Sequence, residues 1–344
     1  MSAMLLEVKN LSVSYDTYAG AVQAVRGVSF QLAQNEIAAV VGESGCGKTV
    51  TAKAILGLLR CPPARISTDS EVCFAGRNIY QFQERAWEAY RGGDCAMIFQ
   101  DALAALNPTQ RIGRQIEEAL RLHTTLDAAQ RRTRVIELLT SVGIPDAPHR
   151  MRQYPHEFSG GQRQRIMITM ALACDPKLLI ADEPTTSLDV TVQAQILELI
   201  KHRQRESGAS VLLITHDLGI VASMADRVIV MYGGKIMEQG PSEAIFYRAR
   251  HPYTWALIRS VPRVDIRSGE KLAAIEGAPP DLLHPPQGCA FHPRCPHCME
   301  ICRKREPEMQ TIDGEHRCAC WLLHPCAPRI EPPIHRKGGA ALVR

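Results

Sequence analysis

Three short runs of uninterrupted apolar residues stand out along the chain: Ile37-Ala38-Ala39-Val40-Val41, Leu178-Leu179-Ile180-Ala181 and Val211-Leu212-Leu213-Ile214. Runs of this length without polar alternation predict strands covered on both faces, hence a mostly parallel sheet with helices packed on it and an α/β fold. Each run stops at polar residues, respectively Gly42-Glu43-Ser44-Gly45, Asp182-Glu183 and Thr215-His216-Asp217. Ligands of such sheets gather at the carboxyl ends of the strands, so these endings predict one shared site. Between the first two runs the period changes. Residues 112–122 carry apolar side chains at helical spacing, and residues 127–142 form a second predicted helix closed by Gly143 and Pro145. Residues 101–175 therefore read as a helical subdomain inserted into the α/β core. The first residues lack a basic segment followed by a long apolar stretch, so they read as a strand rather than a signal peptide. That places the chain in the cytosol.

Beyond Ile245 the pattern fades. After His251-Pro252-Tyr253-Thr254 the composition shifts, Pro279-Pro280 and Pro285-Pro286 bracket a loop, and a cysteine cluster follows. The domain expectation is residues 1–250 for the α/β unit, 251–326 for the cysteine-bearing extension and 327–344 for a disordered tail rich in proline, glycine and basic residues. Of 12 cysteines, seven (Cys289, Cys295, Cys298, Cys302, Cys318, Cys320, Cys326) lie in the last quarter. In a reducing compartment such a cluster favours metal binding over disulfides. The net charge of +4 sits on 36 acidic residues, which argues against a dedicated nucleic-acid binder. No apolar run approaches the ~20 residues needed to span a bilayer.

Candidate chemistry sharpens this outline. Gly42-Glu43-Ser44-Gly45-Cys46-Gly47-Lys48-Thr49 fits the phosphate-loop pattern. Its glycines free backbone N–H groups to wrap phosphate oxygens, Lys48 reaches the β/γ-phosphates, Thr49 binds Mg²⁺, and a helix running to Leu59 adds its positive end. Asp182, closing the second strand, is placed to hold Mg²⁺ opposite that loop, and Glu183 to orient and deprotonate the attacking water. Phe158-Ser159-Gly160-Gly161-Gln162 precedes a predicted helix at 166–174 and offers a second anion cradle.

Two phosphate cradles far apart in one chain resemble the ATP-binding cassette ATPase family. Ser159-Gly160-Gly161-Gln162 is similar to its signature sequence, Gln100 to its Q-loop, Ser187-Leu188-Asp189 to its D-loop, His216 to its switch histidine, and Tyr15 to the aromatic that stacks on adenine. The resemblance implies an ABC-type phosphate-loop ATPase core with an inserted signature subdomain. Gln100 joins Thr49 and Asp182 at Mg²⁺, and Glu183, His216 and Gln100 serve hydrolysis. Two such cassettes pack head to tail, so Ser159, Gly160, Gly161, Gln162 and Asp189 serve the partner's ATP. Gln100 and the stretch 101–108 would relay closure to membrane subunits.

Ile98-Phe99-Gln100-Asp101, Leu106-Asn107-Pro108, Asp182–Val190 and His251-Pro252-Tyr253-Thr254 narrow the resemblance to the oligopeptide, dipeptide and nickel importers. The cysteine-rich end is similar to the extension of their dipeptide-importer D-type subunits. This implies a bacterial importer subunit on the cytoplasmic face of the inner membrane. Its partners would be a second, non-identical ATPase, two permeases and an extracytoplasmic solute-binding protein, with no nucleic acid. Two positions depart from the family: Cys46 stands where Ser is usual and Phe158 where Leu is usual. The first suggests sensitivity to thiol reagents.

Four thiolates suit an iron–sulfur cluster or zinc. Cys295-Pro296-His297-Cys298 with Cys318-Ala319-Cys320 could form a zinc site by spacing. Cys289, Cys295, Cys302 and Cys318 match the D-type extension, where they look like [4Fe–4S] ligands, leaving Cys298, Cys320 and Cys326 spare. A soluble cassette protein of translation or DNA repair, or a redox sensor, are the alternative functions.

Overall fold

The computed structural model describes residues 3–101, 105–186, 188–261 and 275–333 of the 344. Ser187, residues 102–104 of the relay stretch and residues 334–344 of the expected tail lie outside the described residues. In chain order the strands are β1 (Met4–Thr17), β2 (Gly20–Ala33), β3 (Ile37–Val41), β4 (Ala64–Ile66), β5 (Glu71–Phe74), β6 (Arg77–Asn78), β7 (Cys95–Ile98), β8 (Leu178–Asp182), β9 (Ser210–Ile214), β10 (Arg227–Tyr232), β11 (Lys235–Pro241), β12 (Gln310–Asp313) and β13 (His316–Cys318). The three apolar runs are β3, β8 and β9, and every residue of each is buried. The segment at the start is β1.

The chain divides into two compact units. The first comprises Met1–Leu5, Ala33–Asn35 and Ile79–Leu213. Within it β7 and β8 run parallel, Cys95 opposite Leu178 through Ile98 opposite Ala181. Its helices are Ile112–His123, Ala128–Ser141, Gly160–Leu172 and Val190–Ser207, with shorter ones at Glu84–Tyr90 and Ala147–Arg150. Ile112, Ile116 and Leu120 recur one turn apart and are buried with Val135, Leu138, Leu139 and Ile166 in one apolar cluster. Each such side chain contributes about 1.5–3 kcal/mol by leaving water. Asp127 starts the second helix by accepting the Gln130 N–H at 2.8 Å, while the Gln130 side chain accepts the Asp127 N–H at 2.9 Å. Two orphan donors are satisfied reciprocally, which fixes the helix start.

The second unit comprises Leu6–Leu32, Glu36–Asn78 and Ile214–Arg344. One sheet has the order β2-β1-β5-β6, with β4 pairing β1. In another, β3 and β10 run parallel and β11 pairs antiparallel with β10. The cysteine-rich extension continues this sheet: β13 lies antiparallel to β11, and β12 to β13. Asp313 and His316 are opposed across a turn whose Gly314 has φ +51°. Residues 310–318 of the extension are therefore built onto the α/β sheet through hydrogen-bonded strands.

Behind that junction Glu238 is wholly buried and accepts three hydrogen bonds: from Arg250 N–H at 2.6 Å, His251 N–H at 3.1 Å and His316 Nε2 at 2.8 Å. A buried carboxylate is tolerable only when its lone pairs are met, and here strand, helix start and extension meet them together.

Candidate functional site

In the second unit, β3 delivers the chain into the loop Gly42–Gly47, and the helix Lys48–Ile55 follows. Two glycines are sterically required. At Gly42 (φ +152°) an added Cβ would fall 2.1 Å from the Met231 carbonyl oxygen. At Gly47 (φ +100°) it would fall 2.4 Å from the Ala24 carbonyl oxygen. Gly45, at φ +77°, faces open space. Lys48 is buried, and its Nζ donates to the carbonyls of Gly42 at 2.7 Å and Glu43 at 2.9 Å. The loop is thus curled around a held ammonium, the arrangement a polyphosphate needs. Ser44 sits between Glu43 and Gly45 on this curl, and Thr49 is the second residue of the helix.

Cys46 is buried, and its sulfur accepts from Lys48 Nζ at 3.8 Å. Burial pushes the thiol up, against the pull of Lys48. A buried, protonated thiol is a poor nucleophile, so the expected sensitivity to thiol reagents does not follow for this cysteine.

Also in this unit, Tyr15 is half-buried in β1 opposite Ala64 of β4. His216 is exposed directly after β9, beside Asp217, which caps the helix Leu218–Met224 by accepting N–H groups from Gly219 and Ile220.

In the first unit, the parallel register of β7 and β8 carries Gln100 level with Glu183, two residues past the pair Ile98–Ala181. Gln100 Nε2 donates to Glu183 Oε2 at 3.1 Å, and Thr186 Oγ1 donates to the same oxygen at 2.9 Å. Glu183 also holds a left-handed backbone, φ +46°. For a glutamate that conformation is costly and is kept only where the surroundings enforce it, a pattern that clusters at functional sites. Asp182 closes β8 and is buried. The residues predicted for hydrolysis at this edge, Gln100 and Glu183, are thus in contact.

The signature residues open the helix Gly160–Leu172, which begins six residues earlier than the sequence pattern suggested. Ser159 is its N-cap: the Gln162 N–H donates to Ser159 Oγ at 3.4 Å, and the Ser159 N–H donates to Gln162 Oε1 at 3.2 Å. Ser159 and Gly160 are exposed, and a Cβ on Gly160 would meet nothing within 4 Å. Gly161 has Val192 at 3.2 Å from such a Cβ. One turn on, the buried Gln164 Nε2 donates to the Pro184 carbonyl at 2.7 Å, tying the signature helix to the loop that carries Glu183. Phe158 is buried beneath the Arg150 guanidinium, 4.9 Å from its ring centre. Asp189 accepts the Val192 N–H at 2.9 Å as N-cap of the helix Val190–Ser207.

Sequence spacing missed two contacts on the phosphate loop, and a third that supports them. The Glu43 N–H donates to the Tyr253 hydroxyl at 2.9 Å. The Glu43 carboxylate receives Arg294 in a two-pronged pair, Nη1 to Oε2 at 2.5 Å and Nη2 to Oε1 at 3.0 Å. Arg294 Nη1 also donates to the Tyr232 hydroxyl at 3.2 Å. Glu43 and Arg294 lie 251 residues apart, and no local pattern links them.

The cysteines are corrected in part. Among the described residues no group of three or more His, Cys, Asp or Glu side chains is arranged to hold a metal ion. Neither the set Cys289, Cys295, Cys302, Cys318 nor the zinc alternative therefore stands preformed. Cys318 is fully buried in β13 opposite Glu238, with its thiol pushed up first by burial and then by Glu238. Cys320 is the one whose thiol, raised to about 12 mainly by burial, is also influenced by Cys289, Cys295 and Cys302. Cys289 N–H donates to the Cys302 carbonyl at 2.8 Å, and Cys298 N–H to Cys295 at 3.2 Å. No helix among the described residues is long and apolar enough to cross a membrane.

Comparison with known proteins gives concordant matches. The ABC transporter family model matches residues 25–186, and the model of the oligopeptide/dipeptide transporter C-terminal region matches 237–302. The chain is 51% identical over 329 residues to the oligopeptide transport ATP-binding protein OppD of Bacillus subtilis, covering 96% of this chain and 92% of that one. It is 52% identical over 318 residues to the dipeptide transport ATP-binding protein DppD of the same organism, covering 92% and 94%. In fold it is similar to the ATP-binding cassette MJ0796 in a dimeric post-hydrolysis state, with a TM-score of 0.62 and 24% identity over 69% of this chain and 99% of that one.

Proposed function

Since the chain belongs to the ATP-binding subunits of oligopeptide and dipeptide ABC transporters, we propose that its ATP hydrolysis powers import of di- or oligopeptides into a bacterial cell. It works peripherally at the cytoplasmic face of the membrane. Its partners are two permeases, a solute-binding protein and a second, non-identical ATP-binding chain.

The observation that carries the catalytic reading is the Gln100–Glu183 contact at the ends of β7 and β8. Glu183 takes the proton of the attacking water, and Gln100 with Thr186 holds its carboxylate in one rotamer. Lys48 and the N–H groups of Gly42, Ser44, Gly45, Cys46 and Gly47 bind the phosphates, and Tyr15 stacks on the adenine. His216 orients the γ-phosphate side. Thr49, Asp182 and Gln100 offer hard oxygen donors, which suit Mg²⁺. Mg²⁺, when bound, neutralises charge developing on the phosphate oxygens. Ser159, Gly160, Gly161, Gln162 and Asp189 close over the nucleotide held by the partner cassette, using the exposed helix start. Lys48→Ala should abolish ATP binding by the full chain, read by calorimetric titration. Unchanged affinity would refute the phosphate-loop assignment.

The finer reading of the cysteine-rich end is a thiolate-held metal centre, a [4Fe–4S] cluster with zinc as the alternative. An all-thiol donor set supports it. The ligands on this reading are Cys289, Cys295, Cys302 and Cys318. Iron and sulfide analysis of anaerobically purified protein should find the cluster in wild type and lose it in Cys289→Ser and Cys302→Ser. Iron-free wild type holding one zinc would select the alternative.

A further inference from the structure

We propose that Arg294, in the cysteine-rich extension, is a positioning residue for ATP binding that acts through Glu43 of the phosphate loop. The proposal rests on the reading of Gly42–Thr49 as the ATP site and goes beyond it. It makes the extension a working part of that site.

The geometry is specific. The Glu43 carboxylate and the Arg294 guanidinium meet fork to fork, at 2.5 and 3.0 Å. The Arg294 side chain is 5% exposed and that of Glu43 24%. Arg294 is itself fixed on all sides: Nε donates to the Glu276 carbonyl at 2.8 Å, Nη2 to the Ile275 carbonyl at 2.9 Å, and Nη1 to the Tyr232 hydroxyl at 3.2 Å. A planar guanidinium with this many satisfied donors is a rigid anchor, which a flexible surface pair is not. Glu43 is held from a second side by Tyr253, whose hydroxyl accepts its N–H. Tyr232, Tyr253 and Phe291 pack ring against ring, with centroids 4.6 and 5.2 Å apart. The same residue whose carbonyl accepts from Lys48 Nζ thus has its N–H and its carboxylate held by residues of the C-terminal region.

The consequence follows from pre-organisation. A phosphate loop binds tightly when its N–H groups are already turned inward, because no ordering cost falls on the ligand. Glu43 occupies the loop's second position, where a backbone rotation would move both the carbonyl under Lys48 and the N–H groups that follow. Freeing its carboxylate releases that constraint and leaves a buried guanidinium without its anion. The loss belongs to ground-state and transition-state binding alike, so KM for ATP should rise while kcat holds. Because Arg294 directly precedes Cys295, any event that displaces this segment reaches the phosphate loop through one side-chain pair.

The test uses the full chain for nucleotide affinity and the assembled transporter for turnover. Glu43→Gln is isosteric and a quarter exposed, so it reports on the contact with the fold intact; Arg294→Gln removes the other partner. Each should raise the ATP dissociation constant and KM about tenfold with kcat within about twofold, and the double variant should be no worse than either single. Arg294→Lys should recover part of the affinity. Unchanged affinity in Glu43→Gln, or single effects that multiply in the double variant, would overturn the proposal. Lys48→Ala separates the two levels. If it leaves ATP binding intact, the site reading itself fails. If it abolishes binding while Glu43→Gln does not weaken it, only the coupling fails.

Discussion

Glu183 combines a strained backbone with two hydrogen bonds that fix its carboxylate, from Gln100 and Thr186. Strain of this kind costs of order 1–3 kcal/mol and persists only where neighbours enforce it. Replacing the carboxylate by an amide keeps the shape and removes the proposed proton acceptor. Glu183→Gln should therefore bind ATP normally and hydrolyse it about 10²–10⁴-fold more slowly in the assembled transporter, measured as phosphate release. Near-normal turnover would place the base elsewhere. Glu183 was legible in sequence because it follows an apolar strand, and Gln100 only through the family resemblance of its motif. Glu43, Tyr253 and Arg294 were not. A glutamate inside a phosphate loop reads as filler, and its cation lies at the far end of the chain.

At the scale of elements, the apolar runs fixed three strands because burial on both faces leaves no other composition for them. Helix ends were less legible. Gly160 and Gly161 read as loop by propensity, yet the reciprocal Ser159–Gln162 cap draws them into the helix. The phosphate-loop helix stops at Ile55, before Leu59, because Gly57 turns left-handed at φ +66°. The hairpin of β12 and β13 was not predicted, although its Asp313-Gly314 turn is of a kind that favours one.

The seam between β11 and the helix Pro252–Arg259 also sets a pH response. His251 is wholly buried, its Nδ1 accepts the Tyr253 N–H at 3.0 Å, and burial lowers its pKa to about 4, with Glu238 pulling upward. Unfolded histidine titrates near 6.5, so between these values the unfolded chain binds the extra proton. Stability is therefore full above about pH 6.5 and falls as pH drops toward 4, by up to about 3 kcal/mol. Urea midpoints at pH 7.5 and 5 should show that fall in wild type and a shallower one in His251→Gln.

For the whole molecule, the cysteine-rich extension and the phosphate loop belong to one compact unit, which shares strands β11, β12 and β13 with the β3–β10 pair. An ATPase that must move permeases gains from a nucleotide site whose loop is held by many elements, since loop order then reports the state of the surrounding unit. The signature residues face outward at an exposed helix start, and on the present reading they act only on a neighbour's nucleotide. Dilute chain alone should accordingly turn ATP over slowly, and activity should rise steeply with the partner chain and permeases present. The most direct test is ATP-driven peptide uptake. Proteoliposomes carrying the assembled transporter, with ATP on the side of this chain and solute-binding protein plus radiolabelled di- and tripeptides on the other, should accumulate peptide with wild type and not with Glu183→Gln. Uptake undiminished by Glu183→Gln, or ATP hydrolysis without any peptide accumulation in wild type, would contradict the account.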